Sequence, residues 1–167
     1  MKKHAVVILA SFFLFGCAPY DPFAREFTIR KPEKLEIVGV YTLSLQTMNS
    51  YAPHLSQDLK SGAINSAIEI LPDGTYEFRH VPNFEDESHV MEPKFIGFSD
   101  IDGKWSIDRV GSVGDGGNKI DTHWGLRFTE AKGSMSYPGF MGRDNPDRLI
   151  FTFSDPDSGE VMIFKKK

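Results

Sequence analysis

The chain offers one thiol and five imidazoles for nucleophilic or metal chemistry. The thiol belongs to Cys17, in the stretch LFGCAPY. Beyond it lie His54, His80, His89 and His123, and no two of them share the His-x-x-x-His spacing that sets two ligands on one helical face. His80, His89 and His123 would reach one metal only if three separate strands or loops converged, so no metal site is expected. Asp115, Asn118 and Asp121 miss the spacing of an EF-hand loop. The segment from Gly97 to Lys104 ends in Gly-Lys. Its glycines are one residue too far apart for a phosphate loop, and Trp105 stands where a Ser or Thr would hold magnesium. No serine lies in a Gly-x-Ser-x-Gly elbow. No catalytic residue and no cofactor are expected, and the reading is non-enzymatic.

The position of Cys17 explains why there is only one cysteine. Lys2 and Lys3 precede an uncharged run of 12 residues, Ala5 to Gly16. A positive start followed by a short apolar run is the order of a secretory signal peptide. A membrane-spanning helix needs about 20 apolar residues, and Pro19, Asp21 and Pro22 follow at once. The residues before the thiol resemble the lipobox of bacterial envelope lipoproteins: Leu14 stands three places before Cys17 and Gly16 one place before it, while Phe15 is bulkier than the pattern prefers. The resemblance implies cleavage between Gly16 and Cys17 and attachment of a diacylglycerol to the Cys17 thiol. One acyl chain binds a membrane only marginally, so the two or three chains of such an anchor are needed to hold the protein there. A lipidated Cys17 is not available as a nucleophile, and an oxidising compartment offers it no partner within the chain. Ala18, where members of this group retained in the inner membrane tend to carry Asp, implies the outer membrane.

Three segments are therefore expected: a signal peptide over 1–16, a lipidated cysteine with a flexible tether over 17–33, and one domain over 34–167. The chain from Cys17 onward keeps 17 of the 19 basic residues and all 23 acidic ones, a formal charge of −6. Nucleic-acid binding needs clustered Lys and Arg, and is excluded on this balance. The tether, rich in proline and mixed charge, would span roughly 20–25 Å as a coil. Phe27 and Ile29 alternate with polar residues and predict a short strand at its end.

From Lys34 the dominant period is two, the mark of strands with one buried face. Fourteen Phe, five Tyr and two Trp suit strands. Leu35, Ile37, Gly39, Tyr41, Leu43 and Leu45 are predicted to share one face. A short helix is predicted between Gln46 and Asn65. SAIEILPDGTYEFRHV predicts a hairpin, because Pro72 presets the first turn dihedral and Gly74 accepts a positive φ. Further strands are predicted at Phe95–Ser99, around Trp105 and Ile107, around Trp124, Leu126 and Phe128, and in a last hairpin that turns at Asp155–Gly159. The expected fold is all-β: an antiparallel up-and-down meander of seven or eight strands, in a closed or partly open barrel, with a two-sheet sandwich as the alternative. Gly39-Val40-Tyr41 resembles the Gly-x-Trp start of the lipocalin and calycin barrels, with Tyr in place of Trp.

An eight-stranded barrel is either just filled by its side chains or holds one small ligand. Tyr76, Phe78, Trp105 and Trp124 are the candidate pocket residues if the barrel is hollow, and core residues if it is filled. Three connections are expected: an acidic loop over Pro82–Lys94, a glycine-rich one over Val110–Asp121, and Glu130–Asp147. The last carries Tyr137, Phe140 and Met141, a candidate binding loop because aromatics and Met favour interfaces; the alternative folds Phe140 back as a plug. The expected partners are the membrane, through acyl chains on Cys17, and either another envelope protein or a small apolar ligand.

Overall fold

Eight antiparallel strands follow one another around a closed ring, β1 next to β2 and so on until β8 pairs with β1. The strands are β1 (Gly39–Gln46), β2 (Ala67–Ile70), β3 (Thr75–Glu85), β4 (Lys94–Gly114), β5 (Ile120–Phe128), β6 (Gly139–Met141), β7 (Arg148–Thr152) and β8 (Val161–Lys166). The structure is a computed structural model that describes residues 22–62, 64–85, 92–114, 120–154 and 158–167. The leader, Gly16, Cys17, the first residues of the tether, His89, Asp115, Asn118, and Asp155 and Asp157 of the last turn lie outside the described residues. The meander is as expected, and closure of the ring removes the sandwich alternative.

The predicted β2–β3 hairpin forms at the expected turn. Leu71 N–H donates to Thr75 O at 2.9 Å, and the Asp73 carboxylate accepts from Thr75 N–H and Oγ1. Gly74 supplies the positive φ that the turn requires.

The ring is not a regular barrel, and β4 is one reason. Two strands were expected over this stretch; there is one of 21 residues. Its first half, up to Lys104, pairs with β3, and its second half, from Trp105, pairs with β5. β4 thus passes from one neighbour to the next instead of being flanked by both along its length. The strand runs on through Asp102-Gly103 because the Trp105 amide reaches Gly74 O and Lys104 O accepts from Thr129 N–H. Much of the expected glycine-rich connection after Val110 is strand as well.

Both mouths of the ring are covered. At one, α1 (Lys34–Ile37) lies where the strand pattern had been expected to continue. Ile37 is fully buried, the Tyr41 hydroxyl donates to its carbonyl at 2.8 Å, and Lys166 Nζ donates to Glu36 O at 2.7 Å. Leu35 is consequently 80% exposed and not on the inner face. Leu45 also leaves that face, because the β1–β8 register shifts between Leu43 and Leu45. At the other mouth α2 (Pro53–Ser61), the predicted helix, starts on a proline in its first turn and stops at Gly62 with φ +74°. Leu55 of α2 and Met48 and Ala52 before it are buried. His54 meets Phe95 at 5.2 Å, and Phe84 meets Phe153 at 5.0 Å.

Candidate functional site

The four candidate pocket residues are placed by the pleat of three neighbouring strands. Tyr76 and Phe78 on β3 face Phe128 on β5 at ring-centroid distances of 4.3 and 5.1 Å, and each other at 5.0 Å. Phe151 closes on Phe78 at 6.3 Å and on Phe164 at 5.6 Å. Tyr41, Tyr76, Phe128, Phe140, Phe151, Phe153 and Phe164 are all fully buried. These rings occupy the interior, so Tyr76 and Phe78 pack against neighbours across the barrel axis. Trp105 and Trp124 lie nearer the mouth covered by α1. Trp105 Nε1 donates to Leu71 O at 3.0 Å, and Lys34 Nζ stands 5.7 Å above its ring. Half-buried Trp124 carries Lys31 at 5.5 Å and Arg109 at 5.6 Å from its centroid.

One interior atom is unmatched. The Tyr76 hydroxyl is buried and has no hydrogen-bond partner among the described residues. Burial raises the pKa of this phenol, with the backbone at Glu130 and Ala131 acting in the opposite sense. Those amides lie near the oxygen without meeting hydrogen-bonding geometry.

The expected binding loop is largely structure. Phe140 and Met141 form β6 and are fully buried, Phe140 in the barrel core and Met141 in a second apolar cluster. Phe140 is thus held inward, as the alternative reading had it. Tyr137 alone stays half exposed, with the Arg127 guanidinium 6.0 Å from its ring. His80 and His123 do not approach a common ligand position. His80 adopts φ +52° and stacks on Phe98 at 4.0 Å, whereas buried His123 stacks on Phe27.

A cleft of about 500 Å³ opens beside the β3–β4 pair, with Glu77, Arg79, Asp100 and Asp102 among its walls. Arg79 is held by Glu69 at 2.7 Å and Glu77 at 2.8 Å. The Asp100 carboxylate accepts from the His80 backbone N–H at 2.6 Å. Glu77, Arg79 and Asp100 therefore already have partners in the fold.

The most informative arrangement involves residues assigned to the tether. β5 and β6 share only the register pair Gly125–Gly139, the second reason the ring is irregular. Above that pair a strap, residues 22–30, runs between them. Thr28 N–H donates to Phe140 O at 2.9 Å, and Trp124 N–H donates to Thr28 O at 3.1 Å, so one residue bridges both strands. Gly142 N–H donates to Glu26 O, Thr28 Oγ1 donates to Gly142 O, and Arg148 pairs with Glu26 at 2.9 Å. Phe27 forms the predicted strand contact, an antiparallel bridge to Met141. It fills the second apolar cluster with Met141, Ile150, Val161 and Ile163. The flexible tether therefore does not extend to residue 33. The alternation of Phe27 and Ile29 was the sequence signal for this.

No protein-family model, curated protein or solved structure matches the chain. The fold itself defines the class: an all-β ring of eight antiparallel strands with aromatic rings packed against one another inside it.

Proposed function

We propose that this chain is a bacterial envelope lipoprotein, a non-enzymatic interaction module moored by acyl chains on Cys17. The observation that carries the reading is the order of the N-terminal residues: two lysines, a 12-residue apolar run, then Leu-Phe-Gly-Cys. Ala18 favours the outer membrane as the destination. The crowded interior supports binding on a surface over carriage of an apolar ligand inside, since the rings that would line a pocket touch one another. Half-exposed Tyr137 is the member of the candidate loop that remains available to another envelope protein. Replacing Cys17 with Ala tests the reading. The expected product retains its leader and carries no lipid. Normal cleavage and membrane anchoring of that variant would refute it.

A further inference from the structure

If Cys17 is lipidated, the strap decides which end of the domain meets the membrane. Pro22 lies against Gly159, in the connection between β7 and β8: a Cβ built on Gly159 would stand 3.4 Å from Pro22 Cγ. From there the strap reaches the opposite mouth, where Glu26 O accepts from Gly142 N–H just past the end of β6; residues 26–28 then run antiparallel to β6, and the chain continues into α1 at that mouth. β1 runs from one mouth to the other. Its first residue, Gly39, pairs with Ile70 beside the β2–β3 turn, and its last, Gln46, pairs with Met162 beside the β7–β8 connection. Its eight residues cover roughly 23 Å along the strand, and roughly 18 Å along the axis of a barrel whose strands tilt by about 40°.

Five Cα–Cα steps, from Cys17 through Asp21 to Pro22, join the lipidated position to the strap. Even fully extended they reach about 18 Å. This leash is about as long as the axial rise of β1 and starts from the β7–β8 end. With a formal charge of −6 from Cys17 onward, the domain is not drawn to anionic lipid headgroups, so chain length and the docking of the strap set its placement. We infer that the β7–β8 end, with the neighbouring β1–β2 connection that Thr47 ties to Gly159 O at 2.6 Å, faces the lipid headgroups. The β2–β3 turn and Lys104 then point away from the membrane. This rests on the lipoprotein reading. It adds that the anchored domain has a fixed lipid-facing end, leaving the opposite end for partners in the envelope.

The test uses the acylated protein extracted from its native membrane and placed in phosphatidylcholine vesicles doped with a headgroup spin-labelled lipid. A fluorophore goes on Ser158→Cys or on Lys104→Cys, both exposed positions, while the thioether at Cys17 does not react. Quenching is expected to be severalfold stronger at 158 than at 104. Inserting about 20 Gly and Ser residues between Asp21 and Pro22, which adds roughly 15 Å of mean span, is expected to bring the two values together. Equal quenching at both positions in protein whose intact mass shows the acyl chains would overturn the orientation and leave the lipoprotein reading standing. An unmodified Cys17 in that mass would overturn both.

Discussion

The rings of Phe27 and His123 lie face to face, 4.3 Å between centroids and 5° between planes. One residue precedes the first strand and the other sits on β5, so the stack fastens the strap across the weakest seam of the ring. Phe27→Ala removes a buried ring from the cluster around Met141 and Ile150. Loss of about 3 kcal/mol of unfolding free energy is expected by denaturant titration, as for other buried phenylalanines. A change under about 0.5 kcal/mol, the range of ordinary surface substitutions, would show that the strap is peripheral to stability.

Gly39 and Lys166 form a second close pair. Gly39 has φ +148°, and a Cβ there would come within 2.8 Å of Lys166 Cε. Lys166 also stands 6.0 Å over the Tyr41 ring while holding Glu36 O. Gly39→Ala is therefore expected to cost about 1–3 kcal/mol from backbone strain and crowding together. Combining it with Lys166→Ala should give less than the sum of the single losses, because the crowding atom is gone. Strict additivity in that double-mutant cycle would contradict the contact.

The Glu36 carboxylate should leave its mark on acid unfolding. A hydrogen bond from Arg30 is the largest cause of its lowered pKa, the Glu33 backbone N–H adds to it, and the folded value falls from 4.5 to about 2. Between those values the unfolded chain binds the extra proton, so stability rises with pH. The contribution is complete above about pH 4.5 and is lost as the pH falls towards 2. Glu36→Gln should flatten this part of the stability–pH curve. An unchanged slope would show that the pair does not persist in solution.

The Tyr76 hydroxyl has been taken out of water without gaining a hydrogen-bond partner among the described residues. Tyr76→Phe deletes that oxygen and keeps the ring between Phe78 and Phe128. Equal or greater stability is expected, by up to about 1 kcal/mol. A loss larger than that in thermal or chemical unfolding would mean that the hydroxyl is satisfied.

Much of the fold was legible because it depends on local alternation. The hairpin at Pro72–Gly74 and the inward set Tyr76, Phe78, Trp105 and Phe128 follow from period two and turn chemistry. The misses share a different origin. Leu35 and Leu45 fit the alternation and still face solvent, because a helical turn and a register shift move them off the inner face. Phe140 and Met141 read as loop because β6 is only three residues long and both its faces are covered, one by the core and one by the strap. The continuity of β4 depends on which neighbour takes over at Lys104–Trp105, a non-local fact that its own residues do not encode. For the candidate site, the lipidation proposed for Cys17 rests on contiguous residues of the sequence alone, which lie outside the described residues. The strap that would orient the anchored domain showed only as the alternation of Phe27 and Ile29.

Intact-protein mass spectrometry after mild membrane extraction tests the central claim most directly. The account predicts a chain that begins at Cys17 and carries the added mass of a diacylglyceryl group, usually with a further acyl chain. A chain still bearing residues 1–16, with a free Cys17 thiol, would contradict it.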